Sequence, residues 1–228
     1  MGKRGKFIVI EGTDCSGKDT QTKKSFSFLQ SKGISCEPIT FPRYETPTGN
    51  ILKRYLGKEP YTQEFGPSDL VPPKLASVFY AEDRYAAASE MRKKMSEGIT
   101  LLCDRYVESN MGHQGGKISD PLQRKEFIDW LEELEYGNFQ LPRPDAVLFL
   151  YMPYEVGMEL KKGRAGKADG HESNADHLRR AESAYLELAD RFHWHKIECA
   201  PTRTLDSLRS IDDINREVVS HIEHILQL

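Results

Sequence analysis

The chain has 228 residues, of which 38% are hydrophobic and 29% charged, and a formal net charge of −3. That length supports one substantial core, read as a single domain over residues 1–228, while the charge leaves no basic field for nucleic acid, so phosphate must be recognised by particular arginines. No stretch approaches the roughly 20 apolar residues that cross a bilayer, and the apolar run after the basic N-terminus is too short for a signal-peptide core, so a cytoplasmic protein with no membrane partner is expected. Cys15, Cys36, Cys103 and Cys199 are far apart and lack metal-ligand spacing, which makes reduced thiols the expectation.

The first predicted strand, 7–11, runs into Glu11-Gly12-Thr13-Asp14-Cys15-Ser16-Gly17-Lys18-Asp19-Thr20, and a helix is predicted over 18–31. This is the strand–glycine loop–helix context of a phosphate-binding loop, G-x-x-x-x-G-K-[ST]. Its backbone N–H groups point at a polyphosphate, the helix dipole favours the negative charge, and Lys18 can reach the β/γ oxygens, so a nucleoside triphosphate is the expected ligand. Asp19 stands where the pattern has Ser or Thr. Its carboxylate is either a hard oxygen ligand for Mg²⁺ or a first-turn acid that complements the helix dipole. Thr20 cannot simply supply the missing hydroxyl, because one residue further along a helix points about 100° away.

A strand at 35–40 ends in Phe41-Pro42-Arg43, a helix follows at 47–56, and residues 58–73 carry the Gly and Pro of a surface loop. The helix predicted at 73–97 places Tyr80 and Arg84 on one face. They could stack on and bond a base, or equally belong to the core and to an ion pair. The strand at 100–103 ends in Cys103-Asp104-Arg105-Tyr106, and further helices are predicted at 121–136, 153–162, 172–192 and 211–226, with strands at 146–151 and 196–199. Residues 161–174 are polar, Gly-containing and basic at their start, as in a mobile lid. The β-α alternation predicts a doubly wound α/β fold with a five-stranded parallel sheet, whose ligands bind beyond the carboxyl ends of the strands. Arg43 and Arg105 both fall at that edge, where two converging guanidinium groups can fix a phosphate. Asp104 is placed either to hold Mg²⁺ or to pair with an arginine.

Together, residues 12–20, Phe41-Pro42-Arg43, Tyr80 with Arg84, Asp104-Arg105-Tyr106, Ser109-Asn110 and Gln114-Gly115 resemble the thymidylate kinases, a phosphate-loop nucleoside monophosphate kinase family. The resemblance implies a homodimeric enzyme that moves the γ-phosphoryl of Mg-ATP to dTMP, giving dTDP and ADP. It implies that ATP is bound by Gly12, Thr13, Asp14, Cys15, Ser16, Gly17, Lys18, Asp19 and Thr20. On the acceptor side it implies Arg43 and Arg105 at the phosphate, Tyr80 stacked on thymine and Arg84 at the carbonyl edge. Ser109 would stand beside them, with Asn110 near N3 and Asp14 at the sugar 3′-OH. His113 occupies a position where the family often has an aromatic residue beneath the sugar. Asp19 and Asp104 would hold the metal. The family places a catalytic arginine in the loop or the lid; Cys15 cannot serve, which leaves Arg164, flanked by Lys161, Lys162 and Lys167, to act with Lys18, Asp104 and Arg105. Asp169 and Glu172 match acidic lid positions, and the adenine pocket is expected between the lid base and residues 199–210. Other readings are a kinase for another nucleoside monophosphate, or an ATP-binding relative with weak or no transfer activity.

Overall fold

Strands β1 (Phe7–Gly12), β2 (Cys36–Thr40), β3 (Thr100–Asp104), β4 (Ala146–Tyr151) and β5 (His195–Glu198) form one parallel sheet in the order β2-β3-β1-β4-β5. The structure is a computed structural model and describes residues 3–162 and 174–228. β1 lies at the centre, with Val9 opposite Cys103 of β3 and Val147 of β4. Every residue of β1 and β3 is buried, which is why these segments read as continuous apolar runs rather than alternating ones.

Successive side chains of β1 point to opposite faces, and each face has its own core. Phe7 and Val9, with Leu101, Cys103 and Val147, pack beneath α3 (Pro73–Ser96), α4 (Val107–Gly115) and α5 (Pro121–Glu132). Ile8 and Ile10, with Leu102, Leu148 and Leu150, pack against Leu29 of α1 (Lys18–Ser31) and Ile214, Val218 and Ile222 of α8 (Ile211–Leu226). Phe149 and Tyr151 are covered by α7 (Ala175–Arg191) through Ala181, Tyr185 and Ala189. Two further helices, α2 (Pro47–Leu56) and α6 (Tyr154–Lys162), complete the described set. Helix starts follow local chemistry: Thr46, Asp120, Asn174 and Ser210 each accept a hydrogen bond from a first-turn N–H, two of them just before a proline.

The strands and most helices match the sequence expectation to within one to three residues, with two differences. Helix α4 was not expected, because its buried positions carry Glu108, Asn110 and Gln114 beside Val107 and Met111, so no apolar stripe marks a helical period. The helix expected over 121–136 instead leaves α-geometry after Glu132 and continues as a π-helical segment, Glu133–Asn138. Residues 58–72 form the expected loop between α2 and α3. Of the lid, residues 163–173 lie outside the described residues, and Arg164, Lys167, Asp169 and Glu172 with them.

Glu108 on α4 is buried, accepts a hydrogen bond from the Tyr136 hydroxyl at 3.2 Å through Oε1, and has no hydrogen-bond partner at Oε2. Burial pushes its carboxyl from 4.5 up to about 7. Between those values the folded chain keeps a proton that the unfolded chain has lost, so stability falls as pH rises through that window. Glu108→Gln removes the penalty. Its melting temperature at pH 8 is expected to exceed that of the parent by roughly 3–8 °C, with little difference at pH 5. Equal shifts at both pH values in thermal denaturation would refute a titrating Glu108.

Candidate active site

Three strand ends converge on one edge of the sheet. β1 ends at Gly12, where an added Cβ would lie 2.5 Å from the Leu150 carbonyl oxygen and 2.5 Å from Ser16 Oγ, so only glycine lets the loop lie against β4. The loop is fastened there by Thr13, whose Oγ1 donates to Met152 O at 2.6 Å and accepts from Met152 N at 2.8 Å. Gly17 turns the chain into α1 at φ 83°. Lys18, the first residue of that helix, is buried and donates from Nζ to Gly12 O at 2.8 Å and Thr13 O at 2.9 Å. Burial, and then the Arg105 guanidinium, lower its pKa. Ser16 Oγ is buried without a hydrogen-bond partner, whereas Thr20 is exposed.

Beside this loop opens a cavity of about 270 Å³. Asp14, Asp104, Arg105 and Ser109 line it, as do Tyr80, Arg84, Asn110 and His113. The cavity therefore gathers eight predicted residues from the loop, α3, the end of β3 and α4. Arg105 leaves β3 at φ 65° and places Nη2 3.6 Å from Asp14 Oδ1. Burial opposes its charge, but Glu11, Asp14 and Asp104 outweigh that and raise its pKa. Tyr80 stands edge-on to Tyr55, with ring centroids 6.1 Å apart. Arg84 is almost fully buried and paired with Glu135, its Nε donating to Oε2 at 2.6 Å and its Nη2 to Oε1. Of the two openings left by the sequence, Arg84 thus has an ion pair as well as a place in the cavity wall. His113 Nδ1 meets His177 Nε2 at 3.4 Å.

Arg43 is placed differently. Its backbone N–H, Nε and Nη2 all donate to Asp83, at 2.8, 3.1 and 2.7 Å, and its neighbours Phe41 and Pro42 form the cavity wall instead. Asp83 on α3 is fully buried, so this contact fixes the strand-end loop against the helix.

The two metal candidates differ in exposure. Asp104 is buried and its Oδ1 has no hydrogen-bond partner, so a hard oxygen ligand beside the loop is available to a cation; burial raises its pKa. Asp19 has 66% of its side chain exposed and holds Lys23 at 2.8 Å, one turn along α1, although its charge still contributes to raising the Asp104 pKa. Among the described residues no group of three or more His, Cys, Asp or Glu side chains forms a metal cage. That donor set suits Mg²⁺, which takes one or two carboxylates and completes its shell with water and substrate phosphates.

Three residues here had no role assigned from the sequence, although Glu11 and Gln114 stand in its motifs. Glu11 is fully buried at the end of β1, accepting from Ser109 Oγ at 2.6 Å, Gly12 N at 2.9 Å and Tyr185 OH at 3.3 Å. A charge closing an apolar strand was the signal for it. Gln114 is fully buried in the cavity wall with neither end of its amide hydrogen-bonded. Glu135 sits in a run of acids that looks like a solvated helix face, and nothing in the sequence marks it.

The thymidylate kinase family model matches residues 10–211. The human thymidylate kinase is 29% identical over 219 residues, covering 95% of this chain and 89% of that protein. The thymidylate kinase of Plasmodium falciparum is 25% identical over 223 residues, covering 98% and 92%. A solved thymidylate kinase structure from Candida albicans superposes with a TM-score of 0.74 at 23% identity, over 98% of this chain and 93% of that one, which matches the fold. With its phosphate loop, its adjoining cavity and a family match spanning most of its length, the chain belongs to the thymidylate kinase family.

Proposed function

We propose that this chain catalyses transfer of the γ-phosphoryl of ATP to dTMP, giving dTDP and ADP, with Arg105 and Lys18 as the charged groups at the meeting point of the two substrates. The observation that carries this reading is the shared wall: Asp14 and Arg105 belong to the cavity, and Arg105, Asp14 and Asp104 act electrostatically on Lys18 of the loop. A donor phosphate on the loop and an acceptor phosphate in the cavity would face each other across that cluster.

In the reaction an oxygen of the acceptor monophosphate attacks the γ-phosphorus. The bond from that phosphorus to the β–γ bridging oxygen breaks, and ADP leaves with the electron pair. No general base is needed, since a phosphate monoester with a second pKa near 6 is already largely deprotonated at pH 7. Positioning and charge stabilisation are the protein's work. Lys18 would exchange its loop carbonyls for β/γ oxygens, and Arg105 would hold the acceptor phosphate while staying tied to Asp14. Arg43, held by Asp83, would support the same phosphate from the second strand end. Asp104 would hold Mg²⁺, and Asp19 would join it on leaving Lys23; the ion would neutralise charge shared between the β- and γ-phosphates. Arg164 of the lid is proposed to add positive charge to the transferring group. A cytoplasmic homodimer is the proposed working form, in line with the resemblance.

A coupled ADP-release assay across nucleoside monophosphates tests the reading. dTMP is expected to give the highest kcat/KM, with dUMP within about 10²-fold, because one methyl group changes binding by only about 1–3 kcal/mol. A purine monophosphate as the best acceptor would replace this reading with another nucleoside monophosphate kinase. ATP binding without transfer to any acceptor would favour a silent relative.

A further inference from the structure

One buried carboxylate holds two residues of the cavity wall at once. Glu135, fully buried in the π-helical segment Glu133–Asn138, takes Nε and Nη2 of Arg84, and its Oε1 also accepts from Asn110 Nδ2 at 3.1 Å. A π-turn is uncommon and tends to occur where a particular side chain must be delivered. Arg84 additionally donates from Nη1 to Tyr106 O at 3.1 Å. A guanidinium has five N–H donors, so one remains on each terminal nitrogen. Asn110 gives its second amide hydrogen to Ser77 O at 3.3 Å. Both partners of the Asn110 nitrogen are acceptors only, which fixes the amide orientation and leaves Oδ1, buried and without a hydrogen bond, as the unused end.

From this geometry we propose that Glu135 is the positioning residue that sets the polarity of base recognition, fixing Arg84 as a donor and Asn110 as an acceptor. The inference rests on the reading of the cavity as a pyrimidine monophosphate site. A donor beside an acceptor complements the C4 carbonyl and N3–H of thymine or uracil. It opposes cytosine, which has an amino group at C4 and a lone pair at N3. Mispairing leaves buried polar groups unsatisfied on both sides, the condition under which a site rejects a near-isostere strongly. Without the carboxylate, Asn110 would lose the closer of the two acceptors that hold its nitrogen inward, and its amide could turn to offer N–H to cytosine N3.

Glu135→Gln tests this, because the amide keeps the shape but its NH₂ must face either Arg84 Nε at the Oε2 position or both Arg84 Nη2 and Asn110 Nδ2 at the Oε1 position, donor against donor in each case. Wild-type protein is expected to prefer dTMP over dCMP by at least about 10³ in kcat/KM. In E135Q the KM for dTMP is expected to rise at least about 30-fold, with kcat at saturating dTMP within about threefold, and the dTMP/dCMP ratio to fall at least about tenfold. A role confined to stability would lower the melting temperature and leave KM and the ratio alone, and that result in folded E135Q would overturn the inference. If E135Q does not fold, Glu135→Asp is read in its place. Its shorter carboxylate is expected to raise the dTMP KM at least about fivefold at nearly unchanged kcat, and an unchanged KM would overturn the inference. Absence of dTMP kinase activity in the wild type would instead overturn the functional reading itself, and this inference with it.

Discussion

Replacing Arg105 by alanine is expected to raise the KM for dTMP by about 10² or more and to lower the melting temperature. Two separate consequences are combined in that change. The first is loss of the acceptor clamp: Arg105 lies in the cavity wall with Nη2 near Asp14 and Nη1 3.5 Å from Ser109 Oγ, and charge-assisted bonds to a phosphate are among the strongest a site can make. The second is electrostatic. Glu11, Asp14 and Asp104 surround Arg105, and removing it leaves the fully buried Glu11 with its hydrogen bonds and the Lys18 charge alone to offset its own. Losing one partner of a buried charge pair costs about 3–5 kcal/mol. Arg105→Lys should fall between the two proteins, since an ammonium keeps the charge but cannot bridge Asp14 and Ser109 as a planar fork does. Calorimetry with dTMP and with thymidine separates clamp from scaffold. The variant should lose the advantage that the phosphate gives dTMP. An equal loss of affinity for both ligands would assign Arg105 a purely structural role.

Lys18→Met is expected to reduce the single-turnover rate at saturating dTMP by about 10³, on the scale of losing one preorganised charge from an oxyanion site. Methionine fills much of the same volume, so the loss reads out charge rather than space. The ammonium is held between Gly12 O and Thr13 O, which places it inside the loop before any phosphate arrives and reduces the ordering left to do on binding. Burial lowers its pKa, yet Asp14, Glu11 and Asp104 act in the opposite direction, so the surrounding carboxylates support the charged form that the reaction requires. A rate within tenfold of the parent would show that another cation carries the transferring charge.

Much of this site was readable in the sequence because its parts obey local rules. Strands β1, β3 and β4 are nearly continuous apolar runs, the phosphate loop has its glycines at fixed spacing, and Asp104 and Arg105 close a strand directly. These features need only nearest neighbours along the chain. What was hidden depends on partners far away in sequence. Arg84 meets Glu135 across 51 residues, and Arg43 meets Asp83 across 40, so spacing could place each arginine near the site but could not say which acid it holds. Helix α4 was hidden for a related reason: it is enclosed by α3, α5, α7 and the sheet, and the polar residues at its buried positions erase the amphipathic period. Asp19 shows the limit of motif reading, since the same position that suggests a metal ligand also suits an ordinary ion pair one turn along the helix.

The central place of β1 also sets when this site can come into being during synthesis. The first strand made pairs with residues 101–104 and 146–150, and the loop that follows it is pinned by Met152. The ribosome, at about 5–20 residues per second, must therefore complete most of the chain before the earliest segment has both its neighbours. Until then the apolar run at residues 7–10 can pair on its β3 side only. Binding of nucleotide to a nascent chain should begin abruptly, once the fourth strand has emerged, rather than grow with length.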